Sequence, residues 1–218
     1  MNKILCFDTS YNNCSVSIAI GQKIIAFEHE SKPSVQAEKL LVMIESVLKK
    51  SKTEYKDLEY LAVVTGPGSF TGIRIALAAA RGIIHAASNI KGLGITGFEA
   101  VYYRLSEQVL SFDYAIVLLN AYRDMQYMQI FDGTEAISEP KLVLNEEVPE
   151  IIRSYAGTVI CGGNGLIEVY DKLESINKLI ILPRFKTIKA SSIARLANDK
   201  INDNKIAPIE PLYIRSPL

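Results

Sequence analysis

Thr65-Gly66-Pro67-Gly68-Ser69-Phe70-Thr71-Gly72-Ile73-Arg74 joins the apolar run Leu58-Glu59-Tyr60-Leu61-Ala62-Val63-Val64-Thr65 to an alanine-rich segment that reaches Ala87. The run has the length and composition of a strand covered on both faces, and the segment after it predicts a helix over 70–87. Gly66, Gly68 and Gly72 permit a tight backbone between the two, and Ser69 or Thr71 supplies an oxygen that caps the helix. A buried strand, a glycine turn and a helix in that order point to an α/β chain. The chemistry of the turn leaves two readings open. It is a well-capped connection, or its amides hold an anion at the helix N-terminus.

Upstream, residues 3–7 and 14–20 read as strands, the second alternating Val16, Ile18 and Ile20 with Ser15, Ser17 and Ala19. Residues 23–29 add a third strand after the turn at Gly21-Gln22. From Ser34 to Lys50, Ala37, Leu40, Leu41, Ile44, Val47 and Leu48 recur at helical spacing. Downstream, a strand at 90–96 leads into a helix that begins at Gly97, and strands at 114–120 and 125–131 flank a polar turn at Tyr122-Arg123-Asp124. A strand at 158–161 ends in Gly162-Gly163-Asn164-Gly165, and 191–198 is helical. The two halves read as variations on one strand-rich plan, divided near 106–112 into domains 1–108 and 109–218.

Composition limits the chemistry. Lys plus Arg and Asp plus Glu number 24 each, a balance unlike that of a stand-alone nucleic-acid binder working by counterion release. The three cysteines, Cys6, Cys14 and Cys161, lack a Cys-x-x-Cys pair and suggest reduced, buried thiols in the cytosol. The apolar run after Met1 is too short for a signal core or a membrane span, so the expectation is a cytoplasmic chain with no membrane contact. His29 and His85, 56 positions apart, offer neither a Ser-His-Asp or Cys-His arrangement nor the two histidines four apart that hold a metal on one helical face. In the second helix Gly72, Ala76, Ala79, Ala80 and Gly82 form a small-residue face that serves core packing or a partner helix.

The stretch TGPGSFTGIRIALAAARG, residues 65–82, resembles the signature of the TsaB (YeaZ) family. Phe7-Asp8-Thr9-Ser10, Asn120-Ala121-Tyr122-Arg123, Gly162-Gly163-Asn164-Gly165 and Pro211-Leu212-Tyr213-Ile214-Arg215 follow that family's order, so the resemblance covers essentially the whole chain. It implies an actin-like ATPase fold of two related α/β subdomains and a role in making threonylcarbamoyladenosine beside the tRNA anticodon. In that family the chain is a scaffold for the transferase TsaD, with TsaE as an accompanying ATPase and tRNA reached through the complex. The expected partner surface comprises Gln36, Leu40, Leu41 and Ile44 on the first helix and Gly72, Ile73, Ala76, Ala79 and Ala80 on the second. The same face would make a homodimer when the partner is missing.

By the same resemblance, Asp8, Thr9, Ser10, Gly66, Gly68, Ser69, Gly162 and Gly163 are the candidate nucleotide or anion contacts, with ATP or ADP and Mg at the complex interface. Two departures argue against catalysis by this chain alone. Gln36-Ala37-Glu38 stands where relatives carry His-Ser-Glu, and Asn120 stands where an Asp is common; an amide lacks the charge for a metal-water shell. No metal site is expected. The rival reading is an ATP-dependent transferase or a peptidase of the same fold.

Overall fold

Alternation and buried apolar runs become two five-stranded sheets in the computed structural model, which describes residues 1–11, 13–32, 35–133, 135–182 and 188–214. Ser34 and Arg215, named above, lie outside the described residues. The first unit contains β1 (Lys3–Asp8), β2 (Cys14–Ile20), β3 (Lys23–Glu30), α1 (Gln36–Ser51), β4 (Tyr60–Gly66), α2 (Phe70–Ala86) and β5 (Lys91–Thr96). Its sheet order is β3-β2-β1-β4-β5, antiparallel among the first three strands and parallel from β1 through β5.

The chain leaves this unit within α3 (Gly97–Ser106). The second unit holds β6 (Tyr114–Asn120), β7 (Met125–Phe131), β8 (Lys141–Leu144), α4 (Val148–Arg153), β9 (Val159–Gly162), α5 (Tyr170–Leu173) and β10 (Leu179–Leu182). Its order, β8-β7-β6-β9-β10, repeats the first sheet strand for strand, with the same antiparallel and parallel pairings. The plan is therefore duplicated within the chain.

The division between the units differs from the expected one at 108. The first unit is Met1–Ala100 together with Ile188–Leu212, so α6 (Ala190–Asn202) returns to the first sheet. The cause is the apolar stripe of α6, whose Ala190, Ile193, Ala194 and Ala197 have no exposed surface. Two hydrogen bonds fix its start: Ala190 N–H donates to Ser15 Oγ at 2.7 Å, and Asn13 Nδ2 donates to the Ile188 carbonyl at 3.2 Å. Periodicity announces such a stripe without saying which sheet receives it.

The core of the first unit lies where α1 and α2 cover one face of the sheet. Leu40, Ile44 and Val47 of α1 and Ile73, Ala76 and Ala80 of α2 are at most 2% exposed, in one cluster with Leu5, Phe7, Val16, Leu61 and Val63. The small side chains of α2 thus serve close packing inside the unit. In the second unit Ile116, Leu118, Met128, Ile130 and Cys161 form a separate core, and Tyr102 stacks on Phe131 at 4.3 Å between ring centroids. Among the described residues no helix is long and apolar enough to cross a membrane.

Ala76→Leu adds volume to a closed core and should lower the free chain's stability by about 1–3 kcal/mol, read by thermal unfolding. Gly82 is a contrasting case: it is exposed within α2, and a Cβ there meets nothing within 4 Å. Gly82→Ala should therefore stabilise the chain, by about 0.5–1 kcal/mol through helix propensity. Equal melting temperatures for the two variants would contradict this placement of the helix.

Candidate functional site

The glycine turn is occupied by the chain's own backbone. β1 ends at Asp8, whose Oδ1 accepts the Ser10 N–H at 2.9 Å and whose Oδ2 accepts Asn13 Nδ2 at 3.1 Å, so the strand closes in a tight turn. That turn seats against the start of α2. The Ser69 N–H donates to the Ser10 carbonyl at 2.6 Å, and the Thr9 hydroxyl donates to the Gly72 carbonyl at 2.7 Å. Ser69 is also the N-cap, its Oγ accepting the Gly72 N–H at 3.2 Å.

Gly68 and Gly72 are needed for this approach, because a Cβ at either would run into the carbonyls of Ser10 and Thr9 respectively. Gly66, at φ +119°, faces the Leu212 carbonyl. The structure thus brings Asp8, Thr9 and Ser10 together with Gly68 and Ser69, in a turn packed on a turn. The Ser69 and Gly72 amides at this helix start are already held, by the Ser10 carbonyl and by Ser69 Oγ.

Asp8 has no exposed surface, and burial pushes its carboxyl above the usual range against the opposing pull of its bonds to Ser10 and Asn13. Both carboxylate oxygens of Asp8 are taken, by the Ser10 N–H and Asn13 Nδ2, and the group has no exposed surface, so in this arrangement Asp8 is not open to a Mg-bound phosphate. Gly162 and Gly163 belong to the second unit. Gly162 lies under Leu105, and Gly163, at φ +119°, lets the Leu118 carbonyl approach closely. The Asn120 N–H donates to Asn164 Oδ1 at 2.9 Å, which ties that loop to the end of β6.

Nucleophilic chemistry is equally poorly served. Cys6, Cys14 and Cys161 are free and buried, and burial pushes the Cys14 and Cys161 thiols up to about 12 and Cys6 higher still. His29, on β3, stacks with Phe27 and shares a hydrogen bond with Ser31 Oγ at 2.7 Å, while His85 is exposed on α2. Among the described residues no group of three or more His, Cys, Asp or Glu is placed to hold a metal.

The expected partner surface needs correction. Gln36, Leu40, Ile44, Gly72, Ile73, Ala76 and Ala80 are buried inside the first unit, and Ala79 is half-buried; of the nine, Leu41 alone is exposed, at 57%. The reason is that α1 and α2 turn their small-residue and leucine-rich stripes toward their own sheet. What they leave outside is Leu41 and Val42 of α1, the latter 62% exposed, and Phe70 of α2, 56% exposed with the Arg74 guanidinium 3.6 Å over its ring. Sequence reasoning missed Val42 and Phe70. For Val42 the signal was present, since at about 200° from Leu40 it lies opposite the stripe of Leu40, Ile44 and Val47; Leu41 and Phe70 share the helical angles of buried Leu48 and Leu77, and are exposed near the starts of their helices.

Comparison with known proteins follows this geometry. The family model described as TsaD, tRNA N6-adenosine threonylcarbamoyltransferase, matches residues 34–139. The TsaB protein of Buchnera aphidicola subsp. Schizaphis graminum is 41% identical over 80 residues, which is 37% of this chain and 38% of that one. That of Buchnera aphidicola subsp. Acyrthosiphon pisum is 25% identical over 207 residues, 90% and 91% of the two chains. The chain therefore matches little more than a third of the first relative's length and nine-tenths of the second's. The solved structure of YeaZ from Pseudomonas aeruginosa superposes with a TM-score of 0.83 at 20% identity, over 98% of this chain and all of that one, and shares the actin-like α/β fold. The chain is thus similar to a TsaB protein over nine-tenths of its length, at 25% identity, and shares the fold of a YeaZ structure over nearly all of it.

Proposed function

We propose that this chain works in the formation of tRNA threonylcarbamoyladenosine as the non-catalytic partner of the transferase TsaD, which it binds through the outer faces of α1 and α2. One observation carries the proposal: Leu41 and Val42 near the start of α1 and Phe70 at the start of α2 remain exposed, while the other large apolar side chains of α1 pack into the core. Large apolar side chains left exposed are a common mark of association. The names of the TsaB relatives and the match to the TsaD model supply the pathway and the partner's chemistry. The sealed Asp8 and the filled glycine turn support a scaffold rather than an ATP-dependent transferase or a peptidase.

In this reading TsaE joins a larger assembly, and tRNA is reached through the complex in the cytoplasm. Any ATP or ADP with Mg sits at the complex interface, its metal held by groups other than Asp8. Without TsaD, the same outer face pairs two copies of the chain.

The test combines association with turnover. Leu41→Glu with Val42→Glu places two charges on the outer face and should weaken TsaD binding by about 2 kcal/mol or more, roughly 30-fold, with the melting temperature of the free chain nearly unchanged. Threonylcarbamoyl transfer to tRNA by purified TsaD should need this chain and fall with the double variant. Binding that survives the two charges would move the interface elsewhere, and ATP hydrolysis or peptide cleavage by the isolated chain would restore the enzyme reading.

A further inference from the structure

After α6 the chain crosses the edge of the first unit as a strap. β5 is the last strand of its sheet, and its Gly94 N–H donates to the Ala207 carbonyl at 2.9 Å. Arg81 Nη2, from α2, donates to the Ile209 carbonyl at 3.0 Å, and the Leu212 N–H donates to the Thr65 carbonyl at 2.9 Å. Within the strap the Glu210 N–H donates to the Pro208 carbonyl at 3.0 Å.

The floor beneath it is made of glycine. Gly92 and Gly94 are two apart on β5 and present the same face. A Cβ on Gly92 would lie 2.6 Å from Ile209 Cδ1 and 3.0 Å from Ile84 Cδ1, and one on Gly94 would enter the Pro208 carbonyl. Two glycines weaken a strand interior, and they mark a place where another backbone comes close. The outward side of the strap stays in solvent, with Ile206 42% exposed and Pro208 and Glu210 exposed.

We propose that the groove between α2 and β5 is a binding site for an extended peptide, filled in cis by residues 206–212, and that the strap is a detachable ligand which the strap of a second copy can replace. The recognition chemistry is explicit: carbonyls for Gly94 N–H and Arg81, and one branched apolar side chain, Ile209, on the glycine floor. One backbone hydrogen bond to the edge strand and a side chain seated on the glycine floor are the contacts an extended peptide makes at a sheet edge. The short tether from α6 holds the cis strap at high effective concentration, so a strap offered in trans binds only where the cis one is weakened. The site shares no residue with the Leu41, Val42 and Phe70 surface proposed for TsaD.

The experiment uses the full-length chain carrying Ile209→Asp, which sets a carboxylate against the glycine floor and leaves the groove intact. The probe is a fluorescein-labelled peptide of the natural sequence of residues 203–214. It should bind this variant saturably and at least about tenfold more tightly than the natural chain. Affinity should fall about fivefold when Arg81→Gln removes one donor, and binding should be lost when Gly94→Val fills the floor. Hydrogen exchange should show residues 206–212 and Gly94 opening together in Ile209→Asp, with β1 and β2 still protected. Release of the strap without peptide binding would overturn the proposal. So would equal binding to the natural chain and to the filled groove, or strap amides that exchange only with the global core.

Discussion

The hydrogen bond from the Ser69 amide to the Ser10 carbonyl, made in the hollow left by Gly68 and Gly72, is the constraint on which the rest of the first unit depends. It joins the end of β1 to the start of α2. Because β1 and β4 are parallel neighbours, the tie sets α2 against β4, and α1 then completes the cover of the same face. Backbone meets backbone here, so the requirement is for glycine rather than for any particular side chain. The Ser10 carbonyl fills that hollow, so the most distinctive motif of the chain is a structural seat in this arrangement.

The second unit repeats the device as well as the strand order. β6 stands in the place of β1 and β9 in that of β4, and after β9 the glycine at 163 admits the Leu118 carbonyl of β6. In both units a glycine after the second strand of the first parallel pair lets a backbone carbonyl approach closely. Duplication of the fold thus carried a packing solution with it. Site chemistry is free to differ between units that share such a frame.

Much of this was legible in the amino acids. β6 and β7 match the expected residues to the position, because two largely apolar runs of strand length flank a polar turn. β8 and β10, four residues each, are too short for a period to declare itself, and neither was expected. Ser69 was one of two oxygens offered as the cap, and only the seated turn decides between it and Thr71. The candidate partner residues show the harder limit. Helical spacing picked out Leu40, Ile44, Ala76 and Ala80 as one face apiece, yet the same spacing describes a face for a partner and a face for a core. Burial resolved this in favour of the core and left Leu41, Val42 and Phe70 outside. Gly92 and Gly94 gave no hint of the strap, since the segment that covers them lies more than a hundred residues further along the chain.

The central claim is that the large apolar side chains α1 and α2 leave outside the core are the ones TsaD covers. Hydroxyl-radical footprinting of the free chain and of its mixture with TsaD measures that cover side chain by side chain. The account predicts that Leu41, Val42 and Phe70 react in the free chain and are protected in the mixture, with Leu40, Ile44 and Ile73 unreactive in both. Unchanged reactivity at Leu41, Val42 and Phe70, with protection appearing on other surfaces, would contradict it.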